Sequence, residues 1–275
     1  MRLLLAPCVV AAILSGPAFS QGAPKEAVPT SAWTVDFAGE RCVALRQYAT
    51  PAGPVVLALE PSPDRDGMRI IFRVPARKDE PYGSTSGRLS INGVEQKWGY
   101  VMIWPAAKDG LLIYSGSRGD DREPAMPLPQ LKSLSLATAR LSVTLPVSGA
   151  DKVAAVLDEC TRDLLKSWGF ALAEQDRLAT WPKHRNAQTM LTYVDYPPES
   201  MMRGEQGEVR VRGVVGANGK LKDCKVRYSS GYPRLDAVTC DLLRKRGKFE
   251  PARDKAGQPM DAPTFTSVRW VMPTV

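Results

Sequence analysis

A single histidine, His184, is the first residue to consider for chemistry in this chain of 275 residues. Nucleophilic catalysis combines a nucleophile, a base and an orienting group, so one histidine leaves few arrangements. His184 lies between Lys183 and Arg185, outside any catalytic motif, which favours a solvated loop residue. The sequence also lacks a Gly-x-Ser-x-Gly elbow, a phosphate-binding loop and a dinucleotide fingerprint. We therefore predict no enzymatic activity and no cofactor.

Four cysteines remain after the removal of a predicted leader, and they indicate structural disulfides. Four cysteines allow three pairings. Cys224 lies on a predicted strand and Cys240 on the helix that follows, while Cys42 and Cys160 bracket the N-terminal part of the chain. We predict the pairs Cys42–Cys160 and Cys224–Cys240. No metal site is expected, because the chain has no Cys-x-x-Cys pair and one histidine.

Residues 1–20 predict a secretory signal peptide. A short apolar run from Leu3 to Leu14 contains Pro7 and leads to small residues before a cleavage point near Ser20–Gln21. A bilayer span takes ~20 apolar residues, and this run is shorter. We expect cleavage, with residues 21–32 as the exported N-terminal segment. The alternative is an uncleaved membrane anchor.

The net charge of +8 does not by itself indicate a nucleic-acid partner. The Lys and Arg residues are scattered through alternating segments and do not form one block. The sequence has no zinc-finger spacing and no RNA-binding aromatic motif. We expect a solvated basic surface and no nucleic-acid binding.

Residues 33–168 predict a mostly-β domain with a closing helix. Short alternating segments broken by Gly and Pro indicate strands, of which Trp33–Phe37 and Met68–Val74 are the clearest. From Ala150 to Trp168 the apolar residues recur at helical spacing. Residues 169–193 lack a sustained apolar period, and we predict that they form a linker. The alternative is a linker that contains one short helix near Ala171 to Leu178.

Residues 194–275 predict a second, small domain, so that the expected fold class is α+β. Alternating valines from Val209 to Val215 indicate a half-buried strand, and Asn218–Gly219 is a strong signal for a hairpin into the next strand. A helix follows from about Pro233, and a final alternating strand starts near Thr264. The pattern predicts an antiparallel sheet with a helix packed on it.

The alternation also predicts the direction of the side chains. In the second strand of this domain, one inward face is expected to carry Cys224, Val226 and Tyr228. In the final strand, Val268, Trp270 and Met272 face one way, and the other face carries Phe265, Ser267, Arg269 and Val271.

The order of these features resembles the C-terminal domain of the TonB energy-transducer family over residues 194–273. Each feature is weak alone, but their order and spacing together are specific. The matching features are Tyr196–Pro197, Gly207 before the valines, Gly219 in the hairpin, Ser229–Gly231, Leu235–Asp236, Phe249 with Pro251–Ala252, and the terminal strand.

This resemblance implies a protein partner. In that family the domain lies in the periplasm and binds a short segment of an outer-membrane receptor by β-strand addition beside the final strand. The resemblance implies that the outward side chains of Arg269 and Phe265 are candidates for contact with the partner. The partner-binding residues implied in this sequence are Thr264, Phe265, Thr266, Ser267, Val268, Arg269, Trp270, Val271 and Met272.

The sequence departs from the family in two features of a working transducer. An uncleaved inner-membrane helix and a long Pro-rich stretch are expected there, and a predicted β domain fills that place here. We therefore expect a non-enzymatic periplasmic protein that binds a protein partner. The alternatives are an energy transducer for TonB-dependent transport, anchored in the inner membrane and facing the periplasm, and an unrecognised enzyme in the N-terminal β domain.

Overall fold

A computed structural model describes residues 26–37, 40–64, 67–75, 83–96, 100–105, 109–115, 128–187 and 189–272. The predicted signal peptide, residues 21–25 and residues 273–275 lie outside these ranges. The described strands pair antiparallel throughout, and helices pack beside the sheets. This arrangement confirms the mixed helix and antiparallel-sheet class predicted from the sequence.

Two antiparallel sheets make up the N-terminal region, by which we mean the described residues up to 168. The larger sheet has the order β1-β3-β4-β5-β10-β9-β6, with β2 also paired to β3, and the smaller has the order β12-β11-β7-β8. The strands are β1 (Val28–Pro29), β2 (Thr34–Asp36), β3 (Val43–Thr50), β4 (Gly53–Pro61), β5 (Met68–Pro75), β6 (Gly83–Thr85), β7 (Gly87–Ile91), β8 (Val94–Glu95), β9 (Tyr100–Pro105), β10 (Asp109–Ser115), β11 (Ser133–Thr138) and β12 (Ser142–Pro146).

One hydrophobic core collects side chains from both of these sheets and from helix α1 (Ala150–Ser167). In β5 the alternation buries Ile70, Phe72 and Val74, as expected for a strand with one face on the core. Helix α1 buries Leu157 and Cys160 on the face that meets the core. The Cys42–Cys160 disulfide then joins the start of β3 to this helix, and it is one of the two predicted pairs.

The C-terminal module, residues 194–272, is built on a three-stranded sheet of order β16-β15-β20. Its helix α4 packs on one face, and the Cys224–Cys240 disulfide, the second predicted pair, joins α4 to β16. Gly219 turns the β15–β16 hairpin with φ +74°, where a side chain would meet the Phe249 carbonyl at 2.6 Å. The elements are α3 (Pro198–Met202), β15 (Gly207–Val215), β16 (Leu221–Tyr228), α4 (Pro233–Arg246), β17 (Phe249–Glu250), β18 (Ala252–Asp254), β19 (Pro259–Met260) and β20 (Ala262–Trp270).

The side chains of β16 differ in part from the expected alternation. Cys224 is buried as predicted, but Val226 is 39% exposed. The register shifts at Arg227, which adds one residue to β16 opposite the central strand. This bulge turns Tyr228 away from the inward face, so that its hydroxyl lies 3.4 Å from Glu60 in the N-terminal region.

Residues 169–193 are packed against the C-terminal module, which corrects the expectation of a linker. They form α2 (Leu172–Arg177), β13 (Leu178–Thr180), β14 (Lys183–His184) and a 3-10 turn (Tyr193–Asp195). Strand β13 pairs with β18, and β14 pairs with β17. Phe170 and Met190 are buried. These apolar residues are spaced irregularly, and their partners are distant in sequence, so periodicity does not reveal the packing.

A buried carboxylate joins the N-terminal region to the C-terminal module. Glu60 at the end of β4 is 3% exposed, and Arg210 Nη1 of β15 lies 2.9 Å from its Oε1. Arg69 of β5 lies 3.7 Å from Glu60 Oε2 and 3.2 Å from Glu208 Oε2. Burial opposes the ionisation of Glu60, but the surrounding arginines, above all Arg210, outweigh it and lower the pKa of the carboxyl. Glu60 is therefore an anion inside this interface.

Aromatic rings and guanidinium groups form the second part of the interface. Trp168, directly after α1, lies 5.6 Å from Phe265 of β20 between ring centroids. Arg227 lies over the Trp168 ring at 4.7 Å, and Arg212 lies over it at 5.1 Å. Arg227 also donates a hydrogen bond to the Glu40 carbonyl. Cation–π contacts contribute ~0.5–2 kcal/mol each, more when they are desolvated.

Replacing Glu60 tests how much the interface contributes to the free energy of unfolding. Glu60→Ala leaves Arg69 and Arg210 buried beside each other without their shared anion, and breaking a buried pair costs about 3–5 kcal/mol. We expect a loss of this size in the free energy of unfolding measured with urea. The matched control is Glu95→Ala, which removes the exposed partner of Arg88 and should change that free energy by less than about 0.5 kcal/mol. Equal losses in the two variants would contradict the prediction.

The single histidine provides a pH test of the packing of residues 169–193. Burial lowers the pKa of His184, against a weaker opposing effect of Asn186. The unfolded chain then takes up a proton at a higher pH than the folded protein does. Stability should therefore fall as the pH drops from 7 to 5, below the unfolded pKa.

We expect His184→Gln to show a smaller change in melting temperature between pH 7 and pH 5 than the wild-type protein. The comparison is specific, because the chain contains no other histidine. If His184→Gln and the wild-type protein show the same change in melting temperature between the two pH values, His184 is equally protonated in the folded and unfolded states.

Candidate functional site: an open strand edge

The nine predicted binding residues lie on β20 and the two residues after it. Strand β20 pairs along one side with the central strand β15, from Val215–Ala262 to Gly207–Trp270, without a register shift. Among the described residues, no strand pairs with its other side. The predicted residues thus lie along one continuous and regular sheet edge.

The opposite edge of the same sheet is less suited to strand addition. Strand β16 has register irregularities near both of its ends. It also carries exposed lysines at Lys222 and Lys225. Bulges and lysines on an edge strand are features that discourage pairing with another chain. Strand β20 lacks such shifts, which makes it the better candidate of the two.

Three observations fix the direction of the backbone groups of β20. The Met272 N–H donates to Gln206 Oε1 at 2.9 Å, so even-numbered residues of this strand point toward β15. The Gly216 N–H donates to the Lys220 carbonyl at 2.9 Å, so even-numbered residues of β15 point toward β16 and the odd ones toward β20. Pro263, which has no N–H, occupies an odd position of β20, where it removes no hydrogen bond to β15.

The odd-numbered backbone positions of β20 therefore lie along its open side. Both groups of one residue in a strand point to the same side, so each such position carries a donor and an acceptor. The series starts after Pro263 and comprises Phe265, Ser267, Arg269 and Val271. An added strand can form main-chain hydrogen bonds along this window of seven residues.

The side chains of β20 divide between two faces as the sequence predicted. Val268 and Trp270 are buried on the helix side, where Trp270 Nε1 donates to Thr239 Oγ1 at 2.9 Å. The Trp270 ring also makes a T-shaped contact with the Tyr196 ring at 5.2 Å between centroids. These contacts hold β20 on the face that α4 covers. They leave the backbone edge of β20 uncovered by α4.

The opposite face of β20 is only partly available to a partner. Ser267, Arg269 and Val271 are exposed. Phe265 is half-buried, because its ring packs against Trp168 and lies under the guanidinium of Arg227. The Phe265 side chain therefore faces the N-terminal region, whereas its backbone belongs to the open edge, and its contact with a partner stays a prediction.

Sequence reasoning missed the residues that hold this face of the sheet. Arg210, Arg212 and Arg227 belong to the basic residues that were expected to form a solvated surface, but they contact Glu60 or Trp168 of the N-terminal region. Their partners lie between 44 residues (Arg212 to Trp168) and 150 residues (Arg210 to Glu60) away in the sequence. The one signal in the sequence for these contacts was the alternation of Arg210 and Arg212 along one face of β15.

The basic end of α4 has partners within the protein. Arg246 Nη1 lies 2.8 Å from Asp195 Oδ2, and Lys245 Nζ lies 2.7 Å from Asp241 Oδ2. Arg244 donates to the Cys224 carbonyl at 3.1 Å. Cations at a helix C-terminus also suit the helix dipole. These contacts account for the cluster as a structural feature.

His184 is packed against another strand of the protein. Its ring stacks on Phe249 at 4.5 Å between centroids, and β14 pairs with β17 at this point. Burial lowers its pKa, which favours the neutral ring. Within the described ranges, no three His, Cys, Asp or Glu side chains gather as metal ligands would.

Comparison with known proteins agrees with the geometry of this sheet. The family described as "Gram-negative bacterial TonB protein C-terminal" matches residues 192–272. Residues 192–272 are a TonB C-terminal domain. The open strand β20 is the last strand of that domain, as the sequence resemblance implied.

A relative named "Protein TonB", from Pseudomonas putida, is 32% identical over 75 residues. The aligned part is 27% of this chain and 30% of the relative, so the chain spans less than a third of the relative's length. No solved structure matches significantly. The similarity is therefore to the TonB C-terminal domain, and the N-terminal region has no counterpart in these matches.

None of the helices in the described parts of the chain is both long enough and apolar enough to cross a membrane.

Hydrogen exchange of the free protein tests the backbone register. The N–H groups of Thr264, Thr266 and Val268 point toward β15 and should exchange slowly, whereas those of Phe265 and Ser267 point to the open side. After correction for intrinsic rates, we expect a difference of about tenfold or more between the two sets, measured residue by residue by NMR. Slow exchange at Phe265 and Ser267, matching their neighbours, would mean that this edge is covered.

Proposed function

We propose that this protein binds, in the periplasm, an extended segment of an outer-membrane receptor by β-strand addition to β20. The open and shift-free edge of β20 within a TonB C-terminal domain carries this proposal. An edge strand offers unpaired backbone groups to an extended peptide, and main-chain hydrogen bonds then supply much of the affinity. The name of the relative from Pseudomonas putida supports the same class of function.

The packing around β20 supports the proposed binding mode. Helix α4 covers one face of the sheet, and the N-terminal region contacts the other through Glu60 and Trp168. The strand is thereby held in its extended form before any partner arrives. A pre-organised edge avoids part of the ordering cost of binding, which leaves more of the hydrogen-bond energy as affinity.

The proposed role does not include catalysis or energy transduction. The two predicted domains, residues 33–168 and 194–275, would form one exported binding protein, with residues 169–193 packed on the second of them. We propose that the N-terminal region serves as the support of the binding sheet, because its charged and aromatic contacts reach β15, β16 and β20.

Ser267→Pro tests strand addition at this edge. Ser267 lies at an odd position, so proline removes a donor from the open side without removing a hydrogen bond to β15, as at Pro263. We expect Ser267→Pro to lower capture of its receptor about tenfold or more, because an N–H is lost and the ring obstructs the incoming strand. The measurement is pull-down of detergent-extracted outer-membrane proteins on the immobilised full chain, with identification by mass spectrometry.

The matched control is Ser267→Ala, which changes the side chain but keeps the backbone donor. It should capture the same receptor as the wild-type protein does. Circular dichroism and melting temperature must show that both variants are folded. Equal capture by Ser267→Pro and Ser267→Ala would argue against strand addition at β20.

A further inference from the structure

An exposed apolar tip lies at the start of the C-terminal module. Val194 is 82% exposed, the highest value for a large apolar side chain in the described part of the chain, and its neighbour Tyr193 is 63% exposed. Both belong to the 3-10 turn Tyr193–Asp195, and we call these two side chains the tip. Apolar residues that occur singly at a surface need no explanation, but an adjacent pair calls for one.

The turn that carries the tip is held in place by hydrogen bonds and an ion pair. Asp195 Oδ2 accepts hydrogen bonds from the Thr192 N–H and hydroxyl, both at 2.8 Å, and lies 2.8 Å from Arg246 Nη1 of α4. Tyr196, the next residue along the chain, is buried against Trp270. The tip therefore cannot turn inward without breaking these contacts.

Basic residues lie beside the tip. Arg246 brings the end of α4 to the turn, and Asn186 joins that end to the segment before the tip. The Asn186 side chain donates to the Arg246 carbonyl at 3.0 Å and accepts from the Lys248 N–H at 2.8 Å. The Arg185 N–H donates to the Lys248 carbonyl at 2.8 Å. Arg185, Arg246 and Lys248 are all exposed.

The two segments that meet at this point carry an excess of positive charge. Residues 183–195 and 241–250 contain six Lys and Arg and three Asp and Glu, which leaves three positive charges in excess. Each of the three carboxylates is already paired with a basic side chain, in the pairs Asp195–Arg246, Asp241–Lys245 and Glu250–Arg185. The tip is thus surrounded by a positive potential, which attracts an anionic surface.

An anionic bilayer surface fits this combination better than a protein partner does. Amphipathic aromatic side chains such as tyrosine favour the membrane–water interface, and nearby Lys and Arg are attracted to anionic headgroups. A bilayer offers apolar contact without a complementary pocket, so it accepts a small apolar tip. A stable protein interface buries about 800 Å² on each partner, which is far more than two side chains provide.

We propose that the tip and the basic residues beside it dock the C-terminal module on a bilayer surface that contains anionic phospholipids. Tyr193 and Val194 enter the headgroup region, and the basic side chains lie against the phosphate groups. This surface is independent of strand addition, because none of its residues belongs to β20. The contact between Tyr196 and Trp270 links the two, so docking holds the open edge close to the bilayer.

Vesicle sedimentation tests the lipid preference on the exported form, from Gln21 onward. The predicted leader is left out because its apolar run would itself bind a bilayer. At about 0.1 M salt, we expect the partition coefficient to be about tenfold or more higher for vesicles of equal parts phosphatidylglycerol and phosphatidylcholine than for pure phosphatidylcholine vesicles. The difference should shrink at about 0.5 M salt, because salt screens exposed charges.

Variants of two exposed valines test the role of the tip. Val194→Asp should lower the partition coefficient on the anionic vesicles about tenfold, because a carboxylate replaces an apolar group and is repelled by the headgroups. The matched control is Val94→Asp, which makes the same change at a 66% exposed valine of β8 in the N-terminal region. It should bind within about twofold of the wild-type protein, because its charge lies outside the docking surface. Val194→Leu keeps an apolar side chain and should bind at least as tightly as the wild-type protein.

The outcomes decide between a lipid surface and other partners. Equal partition on the two kinds of vesicle, or no binding to either, would overturn the proposal. Equal losses in Val194→Asp and Val94→Asp, with circular dichroism showing both variants folded, would overturn the assignment to the tip. Ser267→Pro should bind the vesicles as the wild-type protein does, so that the failure of strand addition and the failure of lipid docking are distinguishable.

Discussion

The ionic contact between Glu60 and Arg210 is the interaction on which the arrangement of this protein depends. Moving a carboxylate and a guanidinium out of water costs several kcal/mol for each ion, and only close pairing and further hydrogen bonds recover that cost. Here Arg69 and Tyr228 supply the additional contacts to Glu60. A different orientation of the two regions would bury one of these charges without its partner, so the charges favour one relative orientation.

That orientation explains why one edge of the C-terminal sheet is suited to binding. Helix α4 occupies one face, and the contacts of the N-terminal region fall on β15, on the bulge of β16 and on Phe265 at the start of the open window. The far half of β20 is left with exposed side chains and an edge without a paired strand among the described residues. Strand addition requires this combination of a fixed strand and an accessible backbone.

Local patterns were sufficient to predict the elements but not the contacts between them. Alternation predicted β5 and β15, helical spacing predicted α1, and Asn218–Gly219 predicted the hairpin, because each signal lies within one segment of sequence. The bulge at Arg227 was not predictable in this way, since it depends on the pairing with β15 and on the space beside Glu60. Phe265 was assigned to the outward face correctly, yet its ring is packed against Trp168, which no local pattern shows. The boundaries at residues 168 and 193 remain predictions.

The Cys42–Cys160 disulfide links the two chain segments that contact Arg227. Glu40, whose carbonyl accepts a hydrogen bond from Arg227, lies two residues before Cys42, and Trp168, whose ring lies under the same guanidinium, follows the helix that carries Cys160. Without the covalent bond, these two segments would be related only through packing of the N-terminal core. With it, the start of β3 is tied covalently to α1, and Arg227 contacts a residue beside each of these elements. The same guanidinium lies over the ring of Phe265, so Arg227 joins these two segments to the first residue of the open edge.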